Sequence, residues 1–187
     1  MISSILVANR GEIAVRVVRA CQELGIRSVI AYSQADRHSL AVQLADDAVC
    51  IGPAPAADSY LHIPNLVSAA VLRHCDAVHP GVGFLSESAL FAREVRDAGL
   101  VFIGPRPETI ALLGDKVQAK LTATEYGVPV IPGSAGSVTG TDGAKGAIET
   151  AVDIGFPVIV KAAAGGGGKG MRIAYRPDDL AGILQIA

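Results

Sequence analysis

Neither sign of charge dominates this sequence. Its 187 residues contain 16 Lys and Arg and 18 Asp and Glu, so that the net charge is −2 and the isoelectric point lies near 6.1. The basic residues are scattered along the chain, whereas a nucleic-acid surface needs them concentrated on one face. We therefore expect no nucleic-acid partner.

A long hydrophobic run is also missing. No apolar stretch reaches the ~18 residues that a membrane span requires, and the amino terminus has no basic segment followed by an apolar, signal-like one. Half of the residues are nevertheless hydrophobic and 18% are charged, a composition typical of a globular chain with a core. These features predict a cytoplasmic protein with no membrane partner.

Cysteine is scarce, with Cys21, Cys50 and Cys75 as the only three. They are odd in number, far apart in the sequence and set in apolar periodic segments. This pattern favours buried thiols over disulfides, metal ligands or a catalytic nucleophile.

Short apolar stretches alternate with amphipathic ones through the first 112 residues. We predict strands at residues 4–8, 27–32, 47–51, 77–79 and 100–103, and helices at 13–24, 63–74 and 87–98. Such alternation favours parallel pairing, with right-handed crossovers and helices on both faces of the sheet. The sequence therefore predicts an α/β fold, a Rossmann-like, doubly wound parallel sheet.

Two turns of this predicted domain resemble dinucleotide-binding sequences without matching them. Residues 9–12 follow the first strand but contain one glycine, and residues 79–86 read G-x-G-x-x-S with no acidic residue about 20 positions on. NAD binding is therefore the weaker interpretation. Both turns follow carboxyl ends of strands, where open α/β sheets place ligands, so a functional role for some of these residues stays open. His79 taken singly is more typical of a packed or solvent-facing histidine.

The rest of the chain predicts a second, smaller unit. We expect a helix over residues 115–126, an extended exit, a Gly-, Ser- and Thr-rich loop over 132–146, a helix over about 144–154 and a last helix from Pro177. We predict one domain at residues 1–112, a linking helix at 113–130 and a second domain at 131–187. Because the last helix stops at Ala187 in mid-pattern, we expect this second domain to be incomplete at its carboxyl end.

Four consecutive glycines, Gly165, Gly166, Gly167 and Gly168, stand between two stretches rich in β-branched residues. The flanks, residues 158–160 and 173–175, read as strands, so the glycines form the tip of a hairpin. Without Cβ atoms, their N–H groups can converge on phosphate oxygens, and Lys161 and Lys169 supply cations. A P-loop is excluded because a strand follows the loop and no Ser or Thr follows the lysine. A flexible linker is the alternative, but linkers have polar flanks.

Several segments together resemble the biotin carboxylase family of ATP-grasp enzymes. They are residues 5–14 (ILVANRGEIA), 45–46 (AD), 50–55 (CIGPAP), 59–61 (SYL), 79–81 (HPG), 83–87 (GFLSE), 102–105 (FIGP), 114–116 (GDK) and the glycine hairpin. The resemblance covers the whole chain. It implies that residues 1–112 are the family's amino-terminal domain and that residues 131–187 belong to the lid that closes over ATP.

The resemblance also implies roles for individual residues. Lys116 and Lys161 match the lysines that contact ATP phosphates, Gly165 to Gly168 and Lys169 match the loop that covers them, and Met171 matches the residue that packs on adenine. His79, Gly81, Gly83 and Glu87 lie in the segments expected on the substrate side. Arg19 and Glu23 match positions of a dimer interface, for which a solvated helix face is an equally weighted alternative.

The family activity that the resemblance implies is the ATP- and bicarbonate-dependent carboxylation of protein-linked biotin, through carboxyphosphate. Its cofactor is Mg²⁺, and its partners are a biotin carboxyl carrier protein or domain, a carboxyltransferase component and a second copy in a homodimer. In the family the Mg²⁺ carboxylates and bicarbonate-binding residues lie beyond position 187, so we expect no catalytic residue, no metal site and no ATP cleavage in this chain alone. The alternative is a truncated module that binds nucleotide or regulates a partner.

Two positions depart from the family pattern. Val82 stands where the family usually has Tyr, and Ser88 where it usually has Asn. The Val removes a ring and a hydroxyl from a turn that the resemblance places on the substrate side.

Overall fold

The computed structural model describes residues 2–134, 140–161 and 171–184. The packing divides the chain into two units, Met1–Gly114 and Asp115–Ala187. Of the helices in these described ranges, none has the length and hydropathy of a membrane-spanning segment.

The first unit is built on a parallel sheet with helices between its strands. The strands are Ser4–Val7 (β1), Arg27–Ser33 (β2), Asp47–Gly52 (β3), Ala77–His79 (β4) and Val101–Phe102 (β5). The helices are Gly11–Glu23 (α1), Leu40–Leu44 (α2), Ile63–Leu72 (α3), Ala89–Asp97 (α4) and Pro107–Gly114 (α5). The prediction missed α2 and α5, which are short.

The sheet has the order β3-β2-β1-β4-β5, and every neighbouring pair is parallel. The chain first builds outward from β1 through β2 to β3, then returns to place β4 on the other side of β1. The carboxyl ends of β1 and β4 therefore lie side by side at the point where the strand order reverses, the usual place for a ligand crevice. The predicted doubly wound α/β fold is confirmed.

Each face of the sheet carries its own core because successive strand residues point to opposite faces. On one face Leu6 and Val78 pack with Phe91 of α4 and Leu66 of α3. On the other face Val7 packs with residues of α1 and α2. Phe91 is fully buried, and its ring meets that of Phe102 edge-on, with centroids 5.9 Å apart. The helices thus cover both faces, as predicted.

Within its described residues, 115–134, 140–161 and 171–184, the second unit has three helices and one antiparallel pair of strands. The helices are Lys116–Glu125 (α6), Gly140–Ile154 (α7) and Pro177–Leu184 (α8), and the strands are Val158–Lys161 (β6) and Met171–Ala174 (β7). A small core forms around Ala151 of α7, Ala174 of β7 and Leu180 of α8. The predicted hairpin strands and the helix opening at Pro177 are confirmed.

Two expectations were wrong. Cys50 is exposed, whereas Cys21 and Cys75 are buried as predicted; all three are free thiols. Cys50 lies on β3, an edge strand whose burial is only partial, and apolar periodicity does not reveal which strand is at the edge. In addition, α7 begins at Gly140, inside the predicted loop. Once the helix has formed, each added residue gains a hydrogen bond, which offsets the poor helix propensity of its glycines.

Candidate functional site

One face of the β6–β7 hairpin is directed to solvent and carries three apolar side chains and one lysine. The register places Ile159 opposite Ile173 and Lys161 opposite Met171. Residues two apart on a strand share a face, so these four side chains lie together. The three apolar ones remain 56% (Ile159), 50% (Ile173) and 44% (Met171) exposed. An exposed apolar patch beside a lysine can contact a ligand that has both an apolar part and an anionic part.

The opposite face of the same hairpin is anchored. Val158, Val160 and Ala174 pack against the core that contains Ala151 and Leu180. Because the strands alternate, burial of these residues directs the Lys161 and Met171 positions outward. The sheet is thus a two-sided element, with one face fixed to the helices and one left for contact.

Lys116, the other predicted phosphate-contacting lysine, is the first residue of α6. The side chain of Asp115 caps this helix: its Oδ1 accepts hydrogen bonds from the backbone N–H groups of Val117 at 2.8 Å and Gln118 at 2.9 Å. Such a cap fixes where the helix begins and hence the backbone position of Lys116. Lys116 lies in the same unit as Lys161. The predicted loop residues Gly165, Gly166, Gly167, Gly168 and Lys169 lie outside the described residues.

A second candidate site is the crevice at the carboxyl ends of β1 and β4. Asn9, which follows β1, is 2% exposed, and its Nδ2 donates to the carbonyl oxygens of Pro80 at 2.8 Å and Val82 at 3.0 Å. The N–H of Gly81 donates to Nδ1 of His79 at 3.0 Å. These contacts bring together the two turns that the sequence singled out, residues 9–12 and 79–86.

His79 is half-buried, and burial lowers the pKa of its imidazole. Because Nδ1 accepts the Gly81 N–H, the neutral ring carries its proton on Nε2. The hydrogen bond from the Gly81 N–H thus fixes the orientation of the His79 ring, as expected for a packed histidine.

Of the other residues predicted on the substrate side, Gly83 has a φ of +74° and open space around it, and Glu87 is exposed just before α4. Ser88, the second departure from the family pattern, caps α4 by accepting a hydrogen bond from the N–H of Phe91 at 3.2 Å. Val82 is 71% exposed and lines, with His79 and α1, an apolar groove of about 550 Å³.

Four residues, one from each loop that follows β1, β2, β3 and β4, form a connected chain beside this crevice. Asp36 accepts from Arg10 through Nε at 2.8 Å and Nη2 at 2.7 Å, and from the hydroxyl of Tyr60 at 2.8 Å. The Tyr60 ring stacks on Phe84, with centroids 5.1 Å apart and planes 17° apart. The hydrogen bond from Arg10 lowers the pKa of Asp36 to about 2, and burial raises the pKa of Tyr60 to about 12.

Sequence reasoning did not single out Asp36 or Tyr60 as site residues, whereas Asn9 and Phe84 lie in the two turns for which it left a functional role open. A usable signal was present, because Asp36 and Tyr60 are polar or aromatic residues in the loops that follow predicted strands of a parallel sheet. The contacts that Tyr60 makes with Asp36 and with Phe84 each span 24 positions in the sequence and follow from the strand order.

Arg19 and Glu23 are exposed on α1, four residues apart. Their predicted place in a dimer interface is not tested by this structure. Within residues 2–134, 140–161 and 171–184, no group of three or more His, Cys, Asp and Glu side chains could hold a metal ion.

Comparison with known proteins bears on both units. Residues 1–110 match the family model "Biotin carboxylase, N-terminal domain", and residues 115–187 match "Carbamoyl-phosphate synthase L chain, ATP binding domain". The chain belongs to the biotin carboxylase family. The resemblance found in the sequence is thereby confirmed.

Relatives of the biotin carboxylase family support the assignment along the whole chain. The chain is 54% identical to the chloroplastic biotin carboxylase of Arabidopsis thaliana over 98% of its length, and 53% identical to that of Allochromatium vinosum over 100%. It covers 34% and 41% of those two proteins, so it spans well under half the length of the curated relatives it matches.

Solved structures of the family share its fold. The biotin carboxylase–βγ-ATP complex from Campylobacter jejuni is 45% identical with a TM-score of 0.91, and the match covers 100% of this chain and 41% of that one. The biotin carboxylase domain dimer of the Hydrogenobacter thermophilus 2-oxoglutarate carboxylase, solved with MgADP and bicarbonate, is 42% identical with a TM-score of 0.89, covering 100% and 40%.

Proposed function

We propose that the protein carrying this sequence is a biotin carboxylase, an ATP-dependent ligase that uses bicarbonate to carboxylate protein-linked biotin. The observation that carries the proposal is the exposed face of the β6–β7 hairpin, where Lys161 pairs with Met171 beside Ile159 and Ile173. It is supported by family members whose structures contain ADP with magnesium or a βγ-ATP ligand. In this proposal, residues 1–112 are the amino-terminal domain, 113–130 a linking helix and 131–187 part of the lid.

The residues present fit a nucleotide. Ile159, Ile173 and Met171 offer an apolar surface on which an adenine ring packs, and the ammonium group of Lys161 stands at the end of that surface for a phosphate. Lys116 and the loop of Gly165, Gly166, Gly167, Gly168 and Lys169 complete the proposed phosphate contacts.

When bound, ATP supplies the phosphoryl group that activates bicarbonate. Phosphoryl transfer depends on cations and amides around the developing charge more than on a protein nucleophile. The contribution of Lys161 and Lys116 is therefore electrostatic. Mg²⁺ is part of the proposal as the nucleotide's counterion, and the resemblance places its carboxylate ligands beyond position 187.

The crevice of the first unit is the proposed substrate side, with His79, Gly81, Gly83 and Glu87 in or beside its turn. The partners proposed are a biotin carboxyl carrier protein or domain and a carboxyltransferase component. A homodimer with Arg19 and Glu23 at its interface is also part of the proposal. A cytoplasmic location stays a prediction.

Two ligands distinguish the contribution of the apolar surface of the hairpin from that of the Lys161 cation. ADP uses both the apolar surface and the cation, whereas inorganic tripolyphosphate uses the cation alone. We expect Ile173→Thr to weaken ADP binding about threefold or more, the effect of one to two buried methyl-sized groups, and to leave tripolyphosphate binding unchanged. Lys161→Ala is expected to weaken both. If Ile173→Thr leaves the affinity for ADP unaltered, the base does not lie on this face and the proposed site is wrong.

The ligase activity has its own assay. The chain corresponds to 34% to 41% of the first curated relatives, so we expect no bicarbonate-dependent phosphate release from residues 1–187 alone. Phosphate release that needs bicarbonate would contradict the proposal that the catalytic residues lie beyond position 187. Co-migration with a full-length homologue in size-exclusion chromatography would instead favour the partner-regulating module.

A further inference from the structure

The turn after β4 has a backbone conformation that needs support. Gly81, Gly83 and Phe84 all have positive φ, at +68°, +74° and +45°. Glycine adopts such angles freely, but the Cβ of a phenylalanine crowds the backbone there. A residue in this region persists only where its surroundings hold it, and such residues cluster at binding sites.

Phe84 is held by one aromatic neighbour. Its ring stacks on that of Tyr60, which is 2% exposed. The Tyr60 hydroxyl is itself fixed twice: it accepts from the N–H of Ser33 at 3.0 Å and donates to Oδ2 of Asp36 at 2.8 Å. Ser33 lies where the β2–β3 register shifts, so this N–H belongs to an irregular part of the ladder. The ring that supports Phe84 therefore has a defined position.

The carboxylate of Asp36 is the centre of this arrangement. It accepts the Tyr60 hydroxyl, two hydrogen bonds from Arg10 and one from the Ser33 hydroxyl at 3.2 Å. The side chain is 12% exposed, whereas that of Arg10 is 51% exposed. A carboxylate is the acceptor that can satisfy a bidentate guanidinium and a hydroxyl at the same time.

The first half of the turn is held by a different residue. Asn9 donates hydrogen bonds to the carbonyl oxygens of Pro80 and Val82. In the second half, the Phe84 ring stacks on Tyr60 and the carbonyl oxygen of Gly83 accepts the Ser86 N–H.

We infer that Asp36 is a positioning residue for the turn of residues 80–84: it fixes the Tyr60 hydroxyl, and the Tyr60 ring holds Phe84 in its left-handed conformation. The turn is thereby a preformed rim of the sheet-end crevice, so that a ligand bound there does not have to order it. The loops after β1, β2 and β3 all contribute to the shape of the loop after β4. This role of Asp36 belongs to the first unit and is separate from the proposed nucleotide contacts of the second.

Amide hydrogen exchange of the intact chain, measured by NMR, tests this positioning role. The Ser86 N–H donates to Gly83 O at 2.9 Å and reports on the turn, and the Leu24 N–H donates to Ala20 O at 3.1 Å and reports on α1. We expect Asp36→Asn to raise the Ser86 exchange rate about tenfold and that of Leu24 less than about twofold, because both amides exchange through local openings, at the turn and at the end of α1, that do not require the unit to unfold. As a control, Asp58→Asn replaces a nearby exposed carboxylate and should leave both exchange rates unchanged.

Two variants of Tyr60 separate the ring from the hydroxyl. Tyr60→Phe keeps the stack on Phe84 and loses the hydrogen bonds, whereas Tyr60→Leu loses both. The exchange rate of Ser86 should rise in the order wild type, Tyr60→Phe, Tyr60→Leu. If Asp36→Asn leaves the Ser86 rate within about twofold of wild type, or raises the Leu24 rate equally, the inference is overturned.

Discussion

Lys161 and Met171 lie opposite each other in the β6–β7 ladder, so that a cation and an apolar side chain share one exposed face of a two-stranded sheet. The other face of that sheet is packed against α7 and α8. The hairpin thus combines an anchored face with an exposed face, and the proposed nucleotide-binding role rests on the exposed one.

Gly81 and Gly83 form a matched pair for testing the crevice. Both have positive φ, but a Cβ on Gly81 would lie 2.6 Å from Nδ2 of Asn9, while one on Gly83 would meet nothing within 4 Å. We expect Gly83→Ala to lower the free energy of unfolding by about 1 kcal/mol, the cost of a left-handed alanine. Gly81→Ala should lower it by about 1–3 kcal/mol more, because Asn9 has to move. Urea unfolding followed by circular dichroism measures both, and equal costs would contradict the described contact.

The Asp36 carboxylate predicts a defined response to acid. Its folded pKa is about 2, against an ordinary value of 3.8, because Arg10 donates to it. A lowered pKa stabilises the folded state at pH values above 3.8, and this stabilisation is lost as the pH falls toward 2. It amounts to about 2 kcal/mol at pH 7.

The difference in unfolding free energy between wild type and Asp36→Asn should therefore be largest at neutral pH and disappear near pH 2. Asp46 and Asp76, whose pKa values are also lowered by hydrogen bonds, titrate in both proteins and cancel in this difference. A difference that stays constant from pH 7 to pH 2 would show that the ionised carboxylate is not what stabilises the fold.

The three thiols should differ sharply in reactivity. Cys50 is exposed on β3, whereas burial encloses Cys21 and Cys75 and raises the pKa of each thiol. We expect iodoacetamide at pH 8 to modify Cys50 alone in the native protein, as measured by peptide mass spectrometry, and all three in urea, since the thiolate is the reactive form. Cys50→Ser should remove the native modification. Equal labelling of Cys21 or Cys75 under native conditions would contradict the described burial.

Most of the fold could be predicted from the sequence. β1, β2 and β4 are apolar runs bounded by amphipathic helices, and the alternation of the two fixes a parallel sheet. The ends of the longer helices carry local signals, such as Gly25 after α1 with a φ of +66°. Short elements such as α2 lack enough residues to show a period.

The site was less accessible to sequence reasoning. The pairing of Lys161 with Met171 follows from hairpin alternation and was within reach. The link from Arg10 through Asp36 and Tyr60 to Phe84 was not, because it depends on which strands become neighbours. The exposure of Cys50 depends on the same strand order, since β3 is an edge strand.

The most direct test of the nucleotide-binding role is a calorimetric titration of Mg-ADP into the 187-residue chain. We predict saturable binding that Lys161→Ala weakens about tenfold or more, the loss of one charge-assisted phosphate contact. Lys145→Ala, an exposed lysine on α7 of the same unit, should bind like wild type, and NAD should not bind. Equal ADP affinity of Lys161→Ala and wild type, or no ADP binding by wild type, would contradict the claim that these residues hold the nucleotide.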